Sequence, residues 1–586
     1  MASGSGCGRN LVRLLLLAIG TVGALAALAA SAVAAPCDEP IASAIVCENS
    51  KQGAPPSQWD VAGAGSAGIQ GFATDISIDH GGTVDFKVDT AADDYRLDIY
   101  RMGYYGGDGA RQVATLEPSA ALPQSQPACL EDGATGLVDC GNWAVSASWH
   151  VPADAVSGIY FAKLVREDGT VGSSHIYFVV RDDEGGSDLL FQTSDTTWQA
   201  YNRYGGNSLY TGSPAGRAYK VSYNRPFTTR GPTPEDAPFN AEYPMVRWLE
   251  RNGYDVSYFT GVDGDRYGSE ILEHRAFLSV GHDEYWSAGQ RANVTAARDA
   301  GVDLAFFSGN EIFWKTRWEG SIDGSGTAYR TLVSYKETHA GAKIDPSPEW
   351  TGTWRDDRAF NPEGPQPENE LTGTIFNVNS GTSEIEVPAA EGKLRLWRNT
   401  NLDSLAPGQS ATLGESTLGY EWDEDLDNGA RPPGLIRFSS ATRSGVEKLQ
   451  DNGSTYASGT ATHHVTMYRA ASGALVFGAG TIQWSWGLDG EHDGGGSTPD
   501  QRMQQATVNL LGDMGVQPDD LQPGLIAASA STDAAAPSST ITAPVTGAEL
   551  EAGRPVTISG TASDSGGGEV GGVEISVDGG RWHPAA

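Results

Sequence analysis

No cysteine occurs between residues 141 and 586 of this 586-residue chain. A thiolate nucleophile is therefore excluded from most of the protein. Cysteine is confined to position 7 and to an even set of four, Cys37, Cys47, Cys129 and Cys140. An even set in an exported chain indicates disulfides, and four cysteines allow three connectivities. Of these we expect the two local pairs, Cys37–Cys47 and Cys129–Cys140.

Positive charge is also scarce. The chain has 39 Lys and Arg residues against 74 Asp and Glu residues, which gives a formal net charge of -35. Such an excess of negative charge repels phosphate backbones, so nucleic acid is not expected as a partner. The charge favours solubility and is uninformative about the fold.

Long apolar runs are missing after residue 35. Before it, Arg9 and Arg13 precede an apolar run from Leu14, and the small residues up to Ala35 offer a cleavage site. Residues 1–35 are therefore predicted to be a signal peptide, cleaved near Ala35, of a secreted or cell-surface protein. The alternative is an uncleaved anchor, because the run from Leu14 is just long enough to span a bilayer. No stable membrane insertion is expected elsewhere.

Several catalytic motifs are absent, namely the G-x-S-x-G nucleophile elbow, the P-loop and the zinc motif H-E-x-x-H. The sequence therefore does not predict a serine hydrolase, a nucleoside triphosphatase or a zincin. Any active site has to be inferred from polar side chains at the ends of predicted strands.

The pattern of apolar residues divides the chain into segments. Residues 48–182 alternate apolar and polar positions between turn residues, which predicts an N-terminal β-sandwich. Residues 188–515 alternate strands with helices, which predicts a doubly wound, parallel α/β domain before a strand-rich second half. Residues 516–540 are rich in Pro, Ala and Ser and predict a linker. Residues 541–586 predict the start of an immunoglobulin-like β-sandwich.

One stretch of the α/β domain combines a strand, a polar turn and a helix. A short apolar strand over 276–280 breaks at Gly281, and His282, Asp283, Glu284, Tyr285 and Trp286 follow. Ser287 and Gln290 then form a predicted capping box, and Gly301 is placed to end the helix. Taken alone, the turn is better explained as a polar cap of the helix than as a reactive site.

Two further polar turns follow predicted strands, within 193–202 and within 307–315, and the second contains Asn310. Because the carboxyl ends of parallel strands meet at one edge of a sheet, the three turns are expected to face one crevice. This makes a functional site at that edge as credible as a purely structural role.

A set of short motifs in the α/β domain carries a family resemblance. They are Thr197-Trp-Gln-Ala-Tyr-Asn, Gly205-Gly-Asn-Ser-Leu-Tyr, Ala241-Glu-Tyr-Pro-Met-Val-Arg-Trp-Leu-Glu, Gly281-His-Asp-Glu-Tyr-Trp-Ser, Ser308-Gly-Asn-Glu and Gly480-Thr-Ile-Gln-Trp-Ser-Trp-Gly. With them, residues 188–515 resemble the large (beta) subunit of N,N-dimethylformamidase and its exported actinobacterial relatives. The resemblance implies a glutamine-amidotransferase-like α/β domain and hydrolysis of a small amide.

The resemblance also implies a mononuclear ferric (Fe3+) iron site made by two tyrosines and one glutamate. Transferred to this sequence, Tyr285 and Tyr243 are the metal tyrosines and Glu349 is the carboxylate, with Glu337 as the next candidate. Phenolate and carboxylate are hard oxygen donors that suit ferric iron, which would activate a water as a Lewis acid.

Three further residues are expected beside the metal. His282, Glu284 and Asn310 would orient water or substrate, and they are the predicted catalytic residues. The expected ligand is a small-molecule amide. The family's small helical subunit is not encoded by this chain, and a homo-oligomer is one alternative to such an assembly.

Two other functions remain open at this point. In the first, the protein is a non-catalytic cell-surface or glycan-binding protein that keeps the fold, with a cleft lined by the tryptophans of 348–355 and 483–487. In the second, two carboxylates hydrolyse a glycoside, and Glu284 would be one of them.

Overall fold

The computed structural model describes residues 35–495, 497–533 and 535–585. The predicted signal peptide, apart from Ala35, lies outside these residues. Among the helices of the described part, none is both long enough and apolar enough to cross a membrane.

The N-terminal region is a β-sandwich preceded by two short helices. Its elements are α1 (Ala44–Asn49), α2 (Pro56–Trp59), β1 (Ile69–Ala73), β2 (Ser77–Asp79), β3 (Thr83–Thr90), β4 (Tyr95–Met102), β5 (Ala110–Leu116), β6 (Leu130–Asp132), β7 (Leu137–Asp139), β8 (Ala147–His150), β9 (Gly158–Arg166) and β10 (Ser173–Arg181). One sheet has the order β1-β3-β8 and the other β2-β10-β9-β4-β5. Alternate side chains of β3, such as Phe86, reach a core shared with Phe178 of β10.

Both predicted disulfides are present. Cys37 and Cys47 have Cα atoms 4.8 Å apart, and Cys129 and Cys140 have Cα atoms 4.2 Å apart. The prediction of local pairs is confirmed.

The central region contains the remaining helices and most of the strands. Its helices are α3 (Asp195–Tyr201), α4 (Glu242–Arg251), α5 (Gly261–Arg266), α6 (Ala288–Ala300), α7 (Glu337–Ala340), α8 (Asn369–Thr372) and α9 (Gln501–Asp513). Its strands are β11 (Leu189–Thr193), β12 (Lys220–Ser222), β13 (Val256–Thr260), β14 (Ala276–Gly281), β15 (Tyr285–Ser287), β16 (Asp303–Ser308), β17 (Trp314–Glu319), β18 (Thr331–Val333), β19 (Ile375–Ser380), β20 (Glu386–Pro388), β21 (Ser410–Thr412), β22 (Trp422–Glu424), β23 (Ile436–Arg437), β24 (Ala441–Leu449), β25 (Tyr456–His463), β26 (Thr466–Arg469) and β27 (Leu475–Gly478).

A seven-stranded sheet organises this region, in the order β13-β11-β14-β16-β27-β26-β23. The first five strands are parallel, β26 runs antiparallel to β27, and β23 runs antiparallel to β26. Leu278 of β14 lies in the core that contains Met245 of α4, whereas Phe277 lies in the core that contains Val294 of α6. Helices therefore cover both faces of the parallel strands. The specific likeness to glutamine amidotransferases stays a prediction.

Two four-stranded sheets lie beside the central one, in the orders β12-β18-β17-β15 and β22-β19-β24-β25, and β20 pairs with β21. In the first of them β15 runs parallel to β17, with Tyr285 opposite Trp314. Short 3-10 helices cover Tyr105–Gly107, Tyr204–Gly206, Pro234–Asp236, Glu270–Glu273, Glu391–Lys393, Arg395–Trp397, Leu402–Ser404 and Trp484–Gly487.

A buried ion pair joins the sandwich to the central region. The guanidinium of Arg101 in β4 donates to both carboxylate oxygens of Glu250 in α4, each across 2.8 Å. Neither side chain is exposed to solvent. The sandwich and the central region therefore share a solvent-inaccessible interface at this point.

The C-terminal segments differ in their attachment. The first half of the predicted linker lies against the central region, where the amide of Asp519 donates to the carbonyl of Gly253 and Ala528 is buried. Beyond it, β28 (Ser538–Ala543) pairs with β29 (Ser559–Ser563), and β30 (Glu574–Ser576) pairs with β31 (Trp582–Pro584).

Candidate functional site

The candidate site begins where β14 ends. Gly281 has φ +88°, and a Cβ at this position would lie 3.2 Å from the Ala241 side chain and from the Glu242 carboxylate. Glycine is required for both reasons. After Ser287, whose Oγ accepts from the Gln290 amide, α6 runs to a left-handed cap at Gly301. The predicted N-cap and stop of this helix are confirmed, whereas the capping box is incomplete because the Gln290 side chain forms no hydrogen bond to any described residue.

The consecutive polar residues after Gly281 point in different directions. The Asp283 carboxylate accepts from Gln192 across 2.6 Å and from Ser279 across 2.9 Å, beneath the sheet edge. Burial raises the pKa of Asp283 to about 7. The Glu284 carboxylate instead lies 3.5 Å from Nε2 of His282. Only the first and third members of the triplet therefore enter the site.

His282 is held between carboxylates. Its Nδ1 lies 2.9 Å from Asp236, and its Nε2 lies 3.0 Å from Glu421. The hydroxyl of Tyr420 also donates to Asp236, across 2.8 Å. Burial opposes the charged imidazolium, but the Glu421 charge and the hydrogen bond to Asp236 outweigh it and raise the pKa of His282 well above 6.5.

Asn310 reaches the same place from the loop after β16. Its backbone is left-handed, with φ +50°, and its amide donates to Asp423 across 3.0 Å. Its side chain donates to Glu421 across 2.7 Å and lies 3.2 Å from Nε2 of His282. The structure thus brings His282, Glu284 and Asn310 together, at the carboxyl ends of β14 and β16.

Two phenols form a hydrogen-bonded chain that ends at the Glu284 carboxylate. The Tyr285 hydroxyl donates to the Tyr210 hydroxyl across 2.6 Å, and Tyr210 lies 2.8 and 2.7 Å from the two oxygens of Glu284. Burial, and next the Glu284 charge, raise the pKa of Tyr210 and of Tyr285 well above 10. Three potential oxygen donors are therefore adjacent.

Lys336 lies against this group in a left-handed backbone conformation, with φ +46°. Its ammonium is 3.4 Å from the ring centre of Tyr210, 4.6 Å from that of Trp314 and 5.3 Å from that of Tyr285. Burial lowers the pKa of Lys336 to about 7, although the Glu284 charge opposes the shift. The site thus holds a cation above aromatic faces.

The other proposed metal ligands lie elsewhere. Tyr243 packs its ring against Trp59 and Phe239, and its hydroxyl is 3.5 Å from Arg247. Glu349 is exposed, at the rim of a different groove. The structure therefore does not assemble the set Tyr285, Tyr243 and Glu349, because α4 turns Tyr243 toward the sandwich.

Glu337, the second candidate for the carboxylate, has a structural role. Its carboxylate accepts from the backbone amides of Ile344, Asp345 and Thr351, at 2.6, 2.7 and 2.9 Å. Those bonds occupy its oxygens and hold a loop together.

Sequence reasoning missed five members of the cluster, namely Tyr210, Asp236, Lys336, Tyr420 and Glu421. Tyr210 ends one of the motifs of the resemblance, and Lys336 lies in a polar run, Tyr-Lys-Glu-Thr-His. No pattern in the sequence points to Asp236, Tyr420 or Glu421, which lie in irregular segments or at their edges.

A family model described as N,N-dimethylformamidase beta subunit-like, C-terminal, matches residues 96–498, which is the main body of the chain. The chain belongs to this family. The match includes most of the sandwich as well as the sheet that carries the site. A model of a bacterial Ig domain matches residues 537–584, in agreement with the predicted immunoglobulin-like module.

Other comparisons add little to this. None of the curated proteins compared with the chain matches it. Among solved structures, a cycloisomaltooligosaccharide glucanotransferase of Paenibacillus sp., complexed with cycloisomaltoheptaose, is 8% identical over 68% of each chain, with a TM-score of 0.15. A likeness at that score carries no argument about fold or ligand.

The side chains that could act as metal ligands in this N,N-dimethylformamidase-like chain indicate where the expected metal could bind. Among the described residues, His, Cys, Asp and Glu side chains form a group that could hold an ion at Asp94, Glu117 and Glu167, all exposed on the sandwich. At the candidate site, by contrast, a set of three metal ligands would have to include tyrosine hydroxyls. Tyr210, Tyr285 and Glu284 are two tyrosines and one glutamate, the donor types that ferric iron prefers.

The tryptophans of the two tryptophan-rich segments are buried. Trp350, Trp484 and Trp486 fill space between layers. Trp354 lines a groove of about 450 Å³ together with Arg291 and Lys315. The expectation of a glycan cleft built from these segments stays a prediction.

Proposed function

We propose that this chain is a secreted hydrolase of an amide or another C–N bond, with a mononuclear ferric site at Tyr210, Tyr285 and Glu284. One observation carries the proposal: the two phenol oxygens are 2.6 Å apart, and Tyr210 lies 2.7 Å from the carboxylate. Membership of the N,N-dimethylformamidase beta subunit-like family supports the same reaction class.

The donor set fits a hard, highly charged cation. Phenolate and carboxylate oxygens are hard ligands, and a nearby cation lowers the pKa of a phenol. Burial keeps both hydroxyls protonated as long as no metal is bound, so both would have to lose their protons for iron to bind. When bound, ferric iron would supply Lewis-acid polarisation of the amide carbonyl.

The neighbouring residues divide the proton transfers between them. Glu421 is the acceptor on which His282 and Asn310 converge, and it takes a proton from the attacking water. As water adds to the carbonyl carbon and the C–N bond breaks, the imidazolium of His282 donates its Nε2 proton to the departing nitrogen. Asp236, at 2.9 Å from Nδ1, keeps the ring oriented for this step.

The surroundings suit a reaction that uses water as nucleophile. The central region has no cysteine, so a thiol cannot attack. His282, Glu284 and Asn310 are buried, whereas Tyr201, Tyr210 and Tyr420 are half-buried, so the tyrosines form the part of the cluster nearest to solvent. The crevice at the carboxyl ends of parallel strands is where ligands bind in open α/β sheets. A glutamine-amidotransferase-like ancestry of the sheet would be compatible with this placement.

The test uses the full chain, purified and reconstituted with ferric iron. Iron content and a visible tyrosinate absorption band are measured, together with release of dimethylamine from N,N-dimethylformamide and of ammonia from formamide. Tyr210→Phe and Tyr285→Phe are expected to lose the iron and the colour, and Tyr243→Phe to retain both. If wild-type protein binds no iron, or if Tyr243→Phe loses as much iron as Tyr210→Phe, the proposed site is wrong.

A further inference from the structure

Glu311, the last residue of the Ser308-Gly-Asn-Glu motif, takes no part in the proposed hydrolysis. It is 2% exposed and lies directly behind the candidate site. The preceding residue, Asn310, reaches Glu421, whereas Glu311 lies against Asp423 of β22. Two consecutive residues of one motif therefore have different surroundings, and the burial of the Glu311 carboxyl needs a physical explanation.

The hydrogen bonding of Glu311 defines its protonation state. Neither of its carboxyl oxygens accepts a hydrogen bond from any described residue. A carboxylate can only accept, and burying one without a donor is strongly unfavourable. A protonated carboxyl can donate instead, and the Asp423 carboxylate lies within hydrogen-bonding contact of Glu311. Glu311 is therefore the protonated donor of this pair, and Asp423 is the acceptor.

The charges around the pair agree with this assignment. The guanidinium of Arg355 is paired with Glu368, to whose two oxygens its Nε donates across 3.0 and 3.2 Å, so its charge is already balanced. His463 lies beside Asp423 and is neutral, because burial lowers its pKa to about 3. Burial, and next the Asp423 charge, raise the pKa of Glu311 well above 4.5. Two adjacent anions are thereby avoided.

Asp423 connects this pair to the candidate site. One of its oxygens accepts from the backbone amide of Asn310 across 3.0 Å, and the other accepts from the hydroxyl of Thr374 across 2.9 Å. Asn310 has φ +50°, a sparsely populated backbone conformation that persists only with support from its surroundings. The side chain of Asn310 donates to Glu421 across 2.7 Å. A movement of Asp423 is therefore passed to Glu421 through a single residue.

We propose that Glu311 and Asp423 share one proton and form a positioning pair, which holds Asn310 against Glu421. Loss of the proton leaves two adjacent buried carboxylates, whose repulsion withdraws Asp423 from the Asn310 amide. The effect on turnover rests on the proposed amide hydrolysis, whereas the shared proton does not. A glutamine at position 311 can donate the same hydrogen bond and cannot ionise, and a methionine of similar length donates nothing.

The first measurement detects the proton. Infrared difference spectra of the full chain, wild type minus Glu311→Gln, are expected to show at neutral pH the carbonyl stretch of a protonated carboxyl, and this band should shift in D2O. Glu415→Gln, at an exposed glutamate, is the matched control and should give no such band. Absence of the band from the Glu311→Gln difference spectrum would overturn the proposal.

The second measurement detects the positioning. Glu311→Met is expected to lower kcat about ten-fold with KM nearly unchanged, and Glu311→Gln to keep at least about half of the wild-type kcat. The imidazole nitrogen resonances of His282, whose Nε2 lies 3.2 Å from the Asn310 side chain, are followed in protein with isotope-labelled histidine. They should move in Glu311→Met and stay in Glu311→Gln.

The nitrogen spectrum needs no substrate, so it decides about the positioning pair even if the chain hydrolyses no amide. Thr374→Val removes another donor to Asp423 and should move the His282 resonances as well, which keeps the test valid if Glu311→Met does not fold. Unmoved His282 resonances in the folded variants without the donor, or equal movements in Glu311→Met and Glu311→Gln, would overturn the proposal.

Discussion

The hydroxyl of Tyr285 donates to the hydroxyl of Tyr210 across 2.6 Å, although 75 residues separate them in the chain. The Tyr210 hydroxyl in turn donates to the carboxylate of Glu284, the residue that precedes Tyr285. Glu284 and Tyr285, which are adjacent in the chain, are thus connected through Tyr210, a tyrosine from a distant loop. The proposed metal site depends on this relationship, and the first prediction tests its carboxylate.

Glu284→Gln is expected to lower iron affinity by more than about ten-fold, because a neutral amide replaces a charged oxygen donor. The measurement is iron content after dialysis against a chelator. Glu349→Gln is the matched control, and this exposed residue should leave iron content at the wild-type value. Equal losses in the two variants would contradict the placement of the site.

Asp236→Asn is expected to lower kcat by about 10–100-fold with little change in KM. The neutral amide that replaces the Asp236 carboxylate is no longer a charged acceptor for Nδ1 of His282, whereas the proposed iron ligands are unchanged. Steady-state amide hydrolysis gives both constants, and iron content should not change.

The control for this variant is Asp195→Asn. Asp195 is a fully buried carboxyl that accepts from Tyr223 and from the Gly261 amide and does not bond to His282. If Asp236→Asn and Asp195→Asn lowered kcat by the same factor, the role of Asp236 would be only structural.

Glu250→Gln is expected to destabilise the protein by about 3–5 kcal/mol, because it leaves the charge of Arg101 buried without its partner. Replacing both residues, as Arg101→Met with Glu250→Leu, should recover much of the loss. Urea unfolding followed by tryptophan fluorescence measures this. Glu551→Gln breaks an ion pair with Arg554 whose side chains are 73% and 71% exposed, and its unfolding midpoint should match wild type.

Acid stability should depend on His175. Burial lowers the pKa of His175 from 6.5 to about 3, and its Nε2 is 2.7 Å from the carbonyl of Trp59. The His175 imidazole therefore becomes protonated near pH 6.5 in the unfolded chain, but only near pH 3 in the folded protein. Stability from this residue is complete above pH 6.5 and falls progressively as the pH drops toward 3.

His175→Gln can donate to the same carbonyl and cannot titrate. Urea midpoints measured between pH 6.5 and pH 4 should therefore fall less steeply for this variant than for wild type. A steeper slope in His175→Gln would show that the residue is charged in the folded state.

The choice of metal tyrosine illustrates the limit of local patterns. Tyr243 lies in the first turn of α4, a regular helix over Glu242–Arg251. The face that carries Tyr243 packs on Trp59 and Phe239, and this contact with the sandwich could not be derived from helix periodicity. Tyr210 lies in an irregular segment whose course depends on distant contacts.

The sequence by itself determined the features that rest on local chemistry. Alternating apolar residues specified the strands, Ser287 and Gly301 bounded α6, and short spacings paired the cysteines. The order of strands and helices also placed His282, Glu284 and Asn310 at one sheet edge, because parallel strands end together. Tertiary structure alone decided which side chains complete the site. Tyr210, Asp236, Lys336 and Glu421 come from loops and short helices, and their directions are set by packing between segments far apart in the chain.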